Sequence, residues 1–146
     1  MQIILTKEQY EKLMELVYLG NWVVNSYRAD DRLDEFDRMA EHVLSFAPSS
    51  GYQDRVEFDE FEGRYFPSRK FDEELQQYID EYDDDVFWNT LIERLAERDL
   101  IRAHGEETVN RMEWDEYNQK IEPLLKKYEK EIDDNGVENL EIFKVS

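Results

Sequence analysis

The chain has 146 residues, of which 40% are hydrophobic, 14% aromatic and 38% charged, a mixture too apolar for disorder and of a length that suits one domain spanning 1–146. Thirty-seven acidic against 18 basic side chains give a formal net charge of −19, which repels nucleic-acid phosphates and anionic lipid and makes direct nucleic-acid binding the weakest functional class. The absence of cysteine excludes disulfides, zinc–thiolate sites and thiol catalysis.

In chain order, Gln2 to Leu5 reads as a short strand, with Ile3-Ile4-Leu5 too short and too little preceded by basic residues for a secretory signal. Thr6 and Gln9 have capping-box spacing. Tyr10, Leu13, Met14, Val17, Val24 and Tyr27 then hold a helical register to about Arg28, with Glu8 and Lys12 as a supporting pair. Gly20 lies inside that run, and a glycine there points to close crossing by another helix. Asp30-Asp31 opens a second helix through Leu33, Phe36, Ala40, Val43, Leu44 and Ala47, which Pro48-Ser49-Ser50-Gly51 ends.

Tyr52 to Pro67 is irregular. Val56, Phe58 and Phe61 hint at an extended segment, with Gly63 and Pro67 as breakers. Ser68 or Asp72 caps a third helix carrying Phe71, Leu75, Tyr78, Ile79 and Tyr82. The run Asp83-Asp84-Asp85 separates it from a fourth, roughly 84–103, in which Phe87, Trp88, Leu91, Ile92, Leu95 and Ala96 form one apolar stripe. Aspartates before that stripe suit a helix start, and Arg94, Arg98 and Arg102 suit its end. His104-Gly105 stops it.

Trp114, Tyr117, Ile121, Leu124, Leu125, Tyr128 and Ile132 make a fifth helix, with Pro123 kinking it or opening a second piece and Asp134-Asn135-Gly136 ending it. Leu140 to Val145 reads as a strand whose natural partner is Ile3-Ile4-Leu5. The expected fold is therefore mainly α. About five helices pack around a central one at roughly 84–103, with a small sheet formed by the N- and C-terminal segments.

Catalytic and metal signatures are few. His42 and His104 have neither an H-E-x-x-H nor a Glu-x-x-His spacing. Aligned as a calcium loop, Glu131 to Ile142 places Gly136 at the sixth position but Ile142 where the bidentate glutamate belongs, so this segment reads as turn chemistry. No nucleophile-elbow, P-loop or dinucleotide glycine pattern is present. Trp22, Trp88 and Trp114 read as core residues. No cofactor, no metal and no catalytic residue is expected, and no run approaches the roughly 18 apolar residues that cross a bilayer. A cytoplasmic location is the default expectation.

Charge and aromatics converge in one window. Between Tyr52 and Asp85 stand 13 acidic and 4 basic side chains, a net of −9, together with 8 of the 20 aromatic residues. This points to a non-catalytic protein that binds a basic protein partner, as an inhibitor, immunity factor or nucleic-acid mimic does. The expected contact residues are Asp54, Glu57, Phe58, Asp59, Glu60, Phe61, Glu62, Tyr65, Asp83, Asp84 and Asp85, with Phe66 as a further anchor. Two alternatives are a small-ligand protein or enzyme with an inter-helix pocket lined by Trp and Tyr and a few buried carboxylates, and a structural or assembly subunit.

Overall fold

The computed structural model describes residues 2–142. Among these are five helices and one hairpin: α1 (Lys7–Asn25), α2 (Asp34–Leu44), β1 (Val56–Asp59), β2 (Arg64–Pro67), α3 (Arg69–His104), α4 (Glu106–Asn110) and α5 (Trp114–Asn135). The chain divides into two compact units, Met1–Glu81 and Tyr82–Ser146, with the division falling inside α3.

In the first unit α1 begins at the expected capping box. Thr6 Oγ1 accepts from the Gln9 backbone N–H at 3.2 Å, and the Gln9 side chain accepts from the Thr6 N–H at 2.9 Å. Two donors that a helix start leaves orphaned are thereby satisfied. Gly20 faces open space, because a Cβ built on it meets no atom within 4 Å. No helix crosses closely there, and the expected crossing is corrected: the face of α1 that carries Gly20 is exposed. α2 is shorter than its apolar pattern, since the chain leaves the helix after Leu44 through successive turns ending at Gly51, whose φ is +82°.

The sheet lies elsewhere than expected. β1 and β2 pair antiparallel in the register Val56↔Pro67, Glu57↔Phe66, Phe58↔Tyr65 and Asp59↔Arg64. Gly63, read from sequence as a breaker, supplies the left-handed φ of +68° that the hairpin turn requires. Pro67 closes the strand at an end, where its missing N–H costs no ladder bond. Gln2–Leu5 and Leu140–Ile142 form no strand, and Phe143, Lys144 and Val145 lie outside the described residues. After α5 the backbone bonds to itself in turns, Glu138 N–H to the Asn135 carbonyl and Leu140 N–H to the Val137 carbonyl, so donors that a strand would need are already engaged. Met14, Val43, Leu44, Ala47, Val56, Phe71 and Leu75 form the core of this unit.

The largest correction concerns α3. The two helices expected on either side of Asp83-Asp84-Asp85 are one helix of 36 residues. Ser68 caps it, with Oγ accepting from the Phe71 N–H at 3.3 Å and donating to the Asp54 carbonyl at 2.8 Å. No glycine or proline stands between Arg69 and His104, and the apolar step of three and four runs on through Ile79, Tyr82 and Val86. An aspartate in a helix interior costs roughly 0.7 kcal/mol at most relative to alanine, so three of them do not outweigh the ladder on both sides. All three are exposed, and Asp84 accepts from the Trp88 indole N–H at 3.0 Å instead of capping a helix.

The second unit has its own core, in which Ile92, Leu95, Ala96 and Leu100 of α3 meet Val109 of α4 and Ile121, Tyr128 and Ile132 of α5. Gly105, at φ +82°, ends α3 where expected. α5 runs unbroken across Pro123 to Asn135, so no second helical piece begins there. Trp114, expected in the core, is 74% exposed at the first residue of α5 and stacks on Tyr117 with ring centroids 6.5 Å apart. The first turn of a helix reaches past the core that its later turns face, which is why the stripe misplaces this ring.

Candidate functional site

The hairpin tip is built by one carboxylate. Asp59 Oδ1 accepts from the backbone N–H groups of Phe61 and Glu62, both at 2.8 Å, and the Asp59 carbonyl accepts from Gly63 at 2.8 Å. An aspartate that bonds its own backbone two and three residues on fixes a turn without any side-chain core. Phe61 is thereby held 98% exposed and Phe58 53% exposed. Across the strands Phe58 meets Tyr65, with ring centroids 4.9 Å apart, which leaves Tyr65 half-buried.

The acidic residues expected at this site divide by what they already do. Asp54 lies 3.8 Å from the Lys70 ammonium, Glu62 pairs with Arg64, and Asp59 is committed to the turn. Glu57 and Glu60 are exposed and form no ion pair among the described residues. Asp83, Asp84 and Asp85 are exposed on the part of α3 that belongs to the second unit, whereas Asp54 to Tyr65 belong to the first. The hairpin residues alone therefore make up a surface with defined geometry.

A second feature of the first unit is a cavity of about 410 Å³ between α1, α2 and β2. Its aromatic lining comes from Tyr18 and Trp22 of α1 and from Tyr65 and Phe66 of β2. Its polar end is a network. Asn25, 1% exposed, donates to Asn21 at 2.9 Å and to the Leu33 carbonyl at 3.2 Å, and its Oδ1 accepts from the Leu33 N–H at 2.9 Å. Asn21 donates to Asp37 at 2.9 Å, and Arg32 donates to both oxygens of Asp37, at 2.7 and 3.1 Å. The Arg32 hydrogen bonds, helped by Asn21, outweigh partial burial and hold the Asp37 carboxyl below its ordinary range. Asp37 is thus an ionised acceptor near neutral pH. On the β2 side Arg64 pairs with Glu41 and stacks over Phe66 at 4.6 Å, while its Nε is buried without a partner among the described residues. Tyr18 donates to Asp72, and burial, reinforced by that bond, raises its phenol above the ordinary range.

Sequence reading did not single out Asn21, Asn25, Arg32, Asp37 or Arg64. One signal was present: Asn21 and Asn25 stand four apart on α1, placing two amides on one helix face. Their partners come from Leu33 and Asp37, which only the fold brings near.

In the second unit Asp99 of α3 faces Arg98 and Arg102 of the same helix and Lys127 of α5, and accepts from the Tyr128 hydroxyl. Burial alone would raise the Asp99 carboxyl, but the bonds from Tyr128 and Arg98 prevail and hold it below the ordinary range. Arg102 lies one turn along the helix from Asp99, at 3.7 Å. In the last turns of α5, Glu131 accepts from Asn135 of the same helix and from Asn139 beyond its end, at 2.9 and 2.6 Å.

Compared with known proteins, the chain matches no family model, no curated protein and no solved structure. No helix among the described residues is long and apolar enough to cross a membrane.

Proposed function

We propose that this is a non-catalytic acidic protein of the cytoplasm that binds a basic protein partner through the tip of the β1–β2 hairpin. The observation that carries the reading is Phe61, 98% exposed on a turn pinned by Asp59 and flanked by Glu60 and Glu62. A phenyl ring held in water by a tied backbone loses little further freedom on docking, so burying it under a partner is a net gain. Glu57 and Glu60, which form no ion pair among the described residues, offer charge to lysine or arginine on the partner. The net charge of −19 adds a long-range attraction that speeds encounter with a basic surface and weakens as salt rises. An inhibitor, immunity factor or nucleic-acid mimic has these properties.

The test is capture from a lysate of the source organism at low and then high salt, using the wild type and the variants Phe61→Ala and Glu57→Lys/Glu60→Lys. The expected result is a basic protein retained at low salt, released at high salt, and bound at least tenfold more weakly by both variants. A retained set identical for all three proteins refutes the reading.

A further inference from the structure

We infer that the cavity between α1, α2 and β2 is a binding site for a small, uncharged, planar heteroaromatic molecule of the nucleobase or nucleoside class. The inference does not rest on the partner proposed for the hairpin tip, although β2 supplies one wall of the cavity. At about 410 Å³ the cavity falls within the range of small-molecule sites. Trp22, Tyr65 and Phe66, from two separate elements, give it aromatic walls against which a flat ring stacks, and the buried Ala40 and Leu44 line it with apolar surface.

Charge selects among flat ligands. The lining holds two guanidinium groups, Arg32 and Arg64, and two carboxylates, Asp37 and Glu41, and each cation is already paired with one of the anions. A cationic ligand finds no free carboxylate. An anionic one finds no free guanidinium and meets the field of a chain carrying −19. A neutral ring meets neither obstacle, and it can use the hydrogen-bonding capacity that remains. Asn21 has a second amide N–H beyond the one given to Asp37, and Asp37 has one acceptor site beyond the three that Arg32 and Asn21 occupy. A donor and an acceptor side by side among aromatic walls match the alternating edge of a nucleobase.

The test is calorimetric titration of the full chain with adenosine, guanosine, cytidine and uridine, with their 5′-monophosphates, and with benzoate and benzylamine as charged flat rings. Saturable binding of at least one nucleoside is expected, with its monophosphate and both charged rings at least tenfold weaker. Asn21→Leu, checked by circular dichroism, should weaken binding at least tenfold. Methyl chemical shifts provide a second readout that needs no variant: perturbation by the nucleoside centred on Val17, Ala40 and Leu44 supports the site, and perturbation elsewhere overturns it. Failure of every nucleoside to saturate, tighter binding of a charged probe, or undiminished binding by a folded Asn21→Leu variant each overturns it as well. Loss of hairpin-mediated capture leaves these outcomes unchanged.

Discussion

The unit ending at Glu81 contains 9 basic and 19 acidic side chains and the unit beginning at Tyr82 contains 9 and 18, net −10 and −9, yet the two distribute this charge differently. In the second unit the pairs are mostly one helical turn apart: Arg111 with Glu107, Lys120 with Glu116, Lys126 with Glu122 and Lys130 with Asp134. Such exposed pairs contribute little to stability and follow from helix period alone. In the first unit two arginines join elements far apart in the chain. Arg55 links Glu11 of α1 to Glu74 of α3, and Arg64 of β2 reaches Glu41 of α2. These contacts exist only once the unit has folded, and of these residues Arg64 and Glu41 also line the cavity. Local pairing follows from the spacing within one helix, whereas the long-range pair of Arg64 and Glu41 lines a cavity that three elements share.

The sharpest way to break this contrast is to empty each core in turn. Phe71→Ala removes a ring 1% exposed in the first unit and should cost about 3–5 kcal/mol, and Leu100→Ala, also 1% exposed, about 2–5 kcal/mol in the second. Amide hydrogen exchange should show protection falling first around Met14, Val43 and Leu44 for the former and around Ile121, Tyr128 and Ile132 for the latter. Loss spread equally through both cores in either variant would show that the division at Glu81 has no energetic meaning.

A smaller effect comes from Asp99, the main non-local polar centre of the second unit. Its folded carboxyl lies below its unfolded value, so its stabilisation is complete above the unfolded pKa and is lost as pH falls through the folded one. Urea midpoints of the wild type and Asp99→Asn should therefore differ most at neutral pH and converge on acidification below about pH 4, the ordinary aspartate range. A gap that stays constant with pH would mean that the carboxylate's charge is not what stabilises the cluster. The smallest effect is expected at Gly20. With open space at its Cβ position and a helical backbone, Gly20→Ala should stabilise by about 0.5–1 kcal/mol, read as a higher melting temperature with unchanged α1 exchange pattern. Destabilisation would indicate an occupant on that face.

Legibility in the sequence followed the same division. The Thr6–Gln9 cap, the stop at Gly105 and the helix from Trp114 to Gly136 depend on neighbours within one or two turns, and periodicity found them. The aspartate run misled because capping is a local rule that applies only where a helix begins, and the flanking stripes on α3 were continuous enough to carry the helix through. The hairpin was half-seen through Val56 and Phe58, while Gly63 and Pro67 were read as breakers although their places in the antiparallel register make them parts of the turn and strand end. Of the expected contact residues, Phe58 and Phe61 stand exposed, but no pattern in the chain could reveal that Asp59 is consumed by the turn.

By itself, then, the amino-acid order determined most of the helical segments, though not the short helix Glu106–Asn110 or the union of the two expected before His104, because hydrogen bonds and caps in a helix join residues three or four apart. Only the tertiary structure decided that Asn25 would be buried, that Arg64 would bridge a strand to a helix, and that a cavity would open between them. Those outcomes require partners from Leu33, Glu41 and Phe66, and which distant groups come to share a desolvated space depends on how whole elements pack, not on the spacing within any one of them.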